Sequence, residues 1–182
     1  MSKSTETTDV PKLLLRSLGV VFLLACVPSA WAEEAPEYRL KAEYLYRFAQ
    51  FTEWPVEAGN TLNLCVHGTD PFGAELDALQ GKLVEQRNIV VLRNVNADAL
   101  AGCQIIYVAP AAAADVSKVL EQIKGRPVLI VADTPGAARL GVTLNMSVVK
   151  GHVSFEANMQ AARSAQINLS SRLLRFATEV IQ

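Results

Sequence analysis

Apolar side chains recur at three- and four-residue spacing through Leu40, Tyr44, Leu45, Phe48, Phe51 and Thr52, which sets them on one face of a helix. Arg39, Glu43, Arg47 and Gln50 fall between them and belong to the solvated side. Pro55 biases Trp54 toward an extended backbone, so the helix stops there. Most of the aromatic residues in KAEYLYRFAQFTEWP are therefore core packing. Tyr46 fits the buried face least well, and Tyr46 and Trp54 remain candidates for contact with another molecule.

Beyond residue 60 the period changes. Residues 62–67 (LNLCVH), 88–95 (NIVVLRNV), 104–109 (QIIYVA) and 127–133 (PVLIVAD) are short, nearly continuous apolar runs, the pattern of strands covered on both faces. Helical stretches alternate with them. One runs from Phe72 through Leu76 and Leu79 towards Gly81, with Pro71 at its first position and Thr69 or Asp70 as its cap. A second covers 111–124, turns Val116, Val119, Leu120 and Ile123 inward, and closes at Gly125. The alternation predicts an α/β fold, a mostly parallel sheet with helices on both faces. The tail departs from it: 141–148 and 151–157 read as a β-hairpin joined at Val149-Lys150. Two helices follow, one capped by Asn158 and a last one over 170–181 that buries Leu173, Leu174, Ala177 and Ile181.

The first 32 residues stand apart. Lys3, Lys12 and Arg16 precede an apolar run, 17–27, too short to span a bilayer, and Ala30-Trp31-Ala32 is a small-x-small cleavage site. These are the parts of a signal peptide, leaving one domain over 33–182. Cys26, which ends Leu23-Leu24-Ala25-Cys26, offers lipid anchoring as the alternative. Removing Lys3, Lys12 and Arg16 from the 17 basic residues, and Glu6 and Asp9 from the 18 acidic ones, leaves a net charge near −2. Such a chain has no basic surplus for a phosphate backbone, which argues against nucleic-acid binding. Cys65 and Cys103 are then the remaining thiols. A pair in an exported chain favours a disulfide over a metal site, closing a loop of about 38 residues worth roughly 4 kcal/mol; two buried free thiols are the alternative.

No motif of catalysis emerges. His67 and His152 lack ligand spacing, so no metal is expected, and no cofactor. The turn 68–73 lies where a dinucleotide fold holds phosphate, yet it lacks both GxGxxG and GK[ST]. A capped turn explains it, with Thr69 and Asp70 as contacts for a small anionic ligand in the alternative reading. GxSxG is missing, and Asp133 ends a strand with no evident partner. The balance shifts from enzyme to binding and regulation.

Three separated blocks, KAEYLYRFAQFTEWP, LCVHGTDPFGAEL and FEANMQAARSAQINLSSRLLRFATEV, closely resemble the YfiR family of periplasmic proteins, in the family's order and across residues 41–180. The resemblance implies a non-enzymatic periplasmic repressor with an α/β fold and a tendency to dimerise. Its members bind the periplasmic region of an inner-membrane diguanylate cyclase, lower cyclic di-GMP and so limit biofilm formation. An outer-membrane, peptidoglycan-linked lipoprotein sequesters the repressor under envelope stress. The resemblance further implies that activity depends on the Cys65–Cys103 disulfide. Glu156 matches a family position implicated in partner contact; Arg163, Arg47 and Trp54 are further candidates. Where some members carry a second cysteine pair, this chain has Ala138 and Asn145, which puts a local redox response in doubt. A periplasmic small-molecule sensor, or an accessory subunit of another envelope receptor, stands as the alternative function.

Overall fold

The computed structural model describes residues 34–55 and 60–182; the predicted leader, its cleavage site and Cys26 lie outside the described residues. Helix α1 (Glu34–Gln50) forms as its periodicity predicts, with Arg39, Glu43, Arg47 and Gln50 exposed. Its deepest stripe is rotated from the expected one. Lys41, Ala42, Leu45, Phe48, Ala49 and Thr52 are buried, whereas Leu40, Tyr44 and Phe51 are half-buried at its flank.

Strand β1 (Thr52–Glu53) leaves α1 and later pairs antiparallel with β9 (Asn168–Leu169). The main sheet contains β2 (Thr61–His67), β3 (Leu83–Val84), β4 (Arg87–Leu92), β5 (Ile105–Val108), β6 (Leu129–Ala132), β7 (Leu144–Val149), β8 (His152–Asn158) and β10 (Glu179–Ile181). Its order is β10-β8-β7-β6-β5-β2-β4-β3. β4, β2, β5, β6 and β7 run parallel, β3 is antiparallel to β4 and β8 to β7, and β10 runs parallel to β8.

Alternation along each strand sends side chains to two cores. Leu62, Leu64 and Val66 of β2 face α1, together with Tyr107, Val131, Met146 and Phe155. Cys65, Ile106, Ile130 and Ala132 face the other layer, built from a 3-10 segment at Ala97–Gly102 and helix α2 (Val116–Gln122), which supplies Val116 and Val119. Helices thus cover both faces, the expected α/β arrangement.

Four local expectations need correction. The stretch after Pro71 is a 3-10 segment, Gly73–Leu79; the Asp70 carboxylate accepts from the Phe72 N–H, closing the turn before the helix rather than capping it from Pro71. A 3-10 segment, Pro110–Asp115, likewise precedes α2. The hairpin turns at Lys150-Gly151, not Val149-Lys150: both have positive φ (52° and 74°), the pair of dihedrals a two-residue turn needs to match strand twist, and Val149 still pairs with His152. The largest departure is the tail. Helix α3 (Met159–Ser164) starts with the Asn158 side chain accepting from Ala161 N–H, as expected. The last helix, α4 (Ser171–Leu174), is a single turn, after which β10 adds to the sheet edge beside β8. Thr178 donates from both its N–H and its hydroxyl to the Phe155 carbonyl, starting that pairing.

Candidate functional site

Cys65 lies mid-strand in β2 and Cys103 just before β5; their Cα atoms are 6.0 Å apart and the two form a disulfide. β2 is the strand at which the chain order reverses, β4 lying on one side and β5 on the other. In α/β sheets ligands gather at the carboxyl ends of strands near such a reversal. The bond therefore staples the switch point from below. The sequence separation it spans, 38, corresponds to about 4 kcal/mol in the chain-entropy model.

Above it, at the carboxyl ends, lies a buried ionic cluster that the sequence did not suggest. Lys41, 4 % exposed, reaches down from α1 to Asp133 at 2.5 Å and to Glu37 at 2.5 Å. The Asp133 side chain is 1 % exposed; far from having no partner, it is the anchor of α1 on the sheet. Burial opposes the charge on Lys41, but the hydrogen bonds to Asp133 and Glu37 outweigh it and hold the ammonium above the usual lysine pKa. The Tyr107 phenol is pushed far upward, by burial first and by the Asp133 charge second. Tyr107 Oη, Asp133 Oδ1 and Thr134 Oγ1 are buried without hydrogen-bond partners. Phe72 wedges between Tyr38 and Tyr107, edge-on to each at 5.2 and 4.7 Å, and sets the wall of the cluster. The one hint in the sequence was Lys41 itself, one turn before Leu45 on the buried stripe.

The residues singled out from sequence are dispersed. Thr69 is exposed, while Asp70 is fully engaged: one oxygen accepts from Phe72 N–H and the other pairs with Arg93, which also holds Asp77 at 2.6 Å. Gly68 (φ +88°) is a packing glycine, because a Cβ there would meet Ala112 Cβ at 2.7 Å. Arg47 is exposed over the Tyr44 ring at 5.5 Å. Trp54 is 8 % exposed and belongs to the α1-side core, its indole Nε1 lacking a partner. Glu156 is half-buried on β8, accepting from Asn145 Nδ2 at 3.1 Å, and Arg163 is exposed on α3. No hydrogen bond or ion pair joins any two of Arg47, Trp54, Glu156 and Arg163 among the described residues. His67 is buried at the end of β2, between the Val95 carbonyl (2.8 Å) and Asp115 (3.3 Å). No group of three or more His, Cys, Asp or Glu that could hold a metal occurs among the described residues.

These features define a disulfide-stapled α/β domain with a buried ion pair, Lys41–Asp133, at the carboxyl end of its sheet. Within that class the chain belongs to the YfiR/HmsC-like family, whose model matches residues 38–178. No curated protein matches it. Among solved structures it is similar to an ABC domain from Streptococcus pneumoniae in complex with L-Trp, with TM-score 0.50 and 9% identity over 79% of this chain and 60% of that one. A conserved domain protein from Vibrio cholerae aligns with TM-score 0.48 and 9% identity, over 79% of this chain and 60% of that one. The chain thus spans 60% of the length of either solved structure, and the first likeness concerns the fold alone. No helix among the described residues is long and apolar enough to cross a membrane.

Proposed function

We infer that the protein is a periplasmic negative regulator that binds the periplasmic region of an inner-membrane diguanylate cyclase and lowers cyclic di-GMP. The observation that carries this reading is the family match over residues 38–178. The ionic groups support a binding role: Lys41 is neutralised by Glu37 and Asp133, and Asp70 by Arg93, so neither presents a free acid or base to a substrate. The small-molecule alternative centred on Thr69 and Asp70 gains no support, since the Asp70 carboxylate is already engaged.

Repression is a population shift: the regulator binds the inactive conformation of the cyclase's periplasmic region better than the active one. A 99-to-1 reversal of that equilibrium needs a differential affinity of about 10⁴. The full-length cyclase reconstituted in sealed vesicles, with its periplasmic side outward and GTP inside, tests this directly. Added regulator lowers cyclic di-GMP output in proportion to the bound fraction; output unaffected at saturating regulator rejects the reading.

A further inference from the structure

We propose that the groove between the end of α2, the turn at 138–141 and α3 is the docking site for an acidic, partly apolar segment of the membrane cyclase's periplasmic region. This deepens the regulatory reading and rests on it. The groove encloses about 630 Å³ at the end of the sheet where β6 begins. Its floor is apolar, with Ile123, Val128 and Ile130, and Ala161 and Ala165 of α3 form one wall. Lys124, Arg126 and Arg139 rim it, and no carboxylate lines it.

On a chain of net charge −1, Lys124 and Arg126 set two cations without a carboxylate partner among the described residues beside one apolar trough, while the third, Arg139, is paired with Glu179; the local field is opposite to the overall sign. Charge complementarity of that kind selects and steers a negatively charged partner.

The groove is built rather than incidental. Arg139 is held by Glu179 of β10 at 2.8 and 3.0 Å and Arg126 donates to the Ala101 carbonyl at 3.3 Å, which fixes the rim, while Lys124 is exposed beside them. Leu140, beside it, is 63 % exposed, an apolar side chain left facing solvent on the lip. Gly141 (φ +111°) lets the turn close onto α2: a Cβ there would approach Leu120 Cδ1 to 3.2 Å. Asn158 lines the groove with its polar atoms satisfied by Ala138 and Ala161, and Thr143, Gln160 and Ser164 add polar positions to a largely apolar lining. Glu156, two residues earlier on the same face of β8, lies next to this surface and accepts from Asn145.

The test measures binding of the purified periplasmic region of the cyclase to the intact regulator by calorimetry, at two salt concentrations. Lys124→Glu/Arg126→Glu reverses the rim charge, and Ser164→Trp fills the groove without changing charge; all three positions are exposed, so melting temperatures stay at the wild-type value. Lys82→Glu, beside β3 on the far edge of the sheet, serves as the charge control. The proposal expects at least ten-fold weaker binding for both groove variants, a flatter salt dependence for the charge reversal, and a change within two-fold for Lys82→Glu. Wild-type binding with the groove variants within two-fold of it overturns the groove and leaves the regulatory reading intact. Loss confined to the charge reversal, with Ser164→Trp normal, also overturns it, since it reduces the cations to long-range steering. Wild-type protein that binds no cyclase region removes both.

Discussion

Replacing Lys41 by methionine isolates what the buried ionic cluster contributes. The substitution nearly conserves volume and apolar length, so its chief effect is electrostatic: Asp133, whose side chain is 1 % exposed, loses the one cation paired with it among the described residues. Breaking a buried pair on one side costs about 3–5 kcal/mol, because the remaining charge stays desolvated and uncompensated. With a urea slope of about 2 kcal/mol per molar, a loss of about 4 kcal/mol moves the unfolding midpoint down by about 2 M. The mirror change, Asp133→Ala, is milder, at about 3 kcal/mol, since Glu37 still holds the ammonium. Lys41→Met/Asp133→Leu removes both charges together and recovers most of the loss, as apolar replacement of whole buried pairs often does. Urea unfolding of the three variants at neutral pH, followed by tyrosine and tryptophan fluorescence, measures all of these terms. A single Lys41→Met midpoint within about 0.3 M of wild type, or a double variant less stable than either single one, refutes the assignment of Lys41–Asp133 as the anchor of α1.

The same cluster fixes the alkaline limit of stability: the folded-state pKa values of Lys41 and Tyr107 are both raised, so their contributions are complete below the ordinary values of 10.5 and 10.0 and fade as pH climbs through the folded ones. Melting temperature should therefore stay level from pH 7 to 9 and fall above 10, with a shallower fall in Lys41→Met/Asp133→Leu; an equally steep fall in that variant contradicts the assignment. Cys65→Ser should lower stability by about 4 kcal/mol in equilibrium denaturation, and wild type under reductant should match it. Gly68→Ala should destabilise by about 2 kcal/mol or more, as its Cβ meets Ala112 and its φ is +88°; calorimetric melting indistinguishable from wild type argues against that packing. Arg139→Ala should change stability by less than about 1 kcal/mol, because its ion pair with Glu179 is exposed.

The parallel strands were legible because each is a short apolar run with its own turn signals, and the disulfide because a predicted leader would take Cys26 out of an odd count. What escaped was long-range. Lys41 and Asp133 are 92 positions apart, and nothing local marks one as the partner of the other. Residues 170–181 carry Leu173, Leu174 and Ala177 at helical spacing, yet Val180 and Ile181 are claimed by the open edge of β8, where their β-branched side chains suit a strand. The α1 stripe was misplaced by a fraction of a turn because small residues, Ala42 and Ala49, take the closest approach to the sheet while Tyr44 and Phe51 flank it. The groove is a tertiary object too: Lys124 and Arg126 end one helical layer, Arg139 follows the next strand, and α3 supplies the opposite wall.

Cellular cyclic di-GMP, measured with this gene deleted and then restored as wild type or as Cys65→Ser, bears most directly on the regulatory reading. The account predicts a rise on deletion, a return to the parental level with wild type, and incomplete return with the variant that lacks the disulfide. Levels unchanged by deletion contradict it.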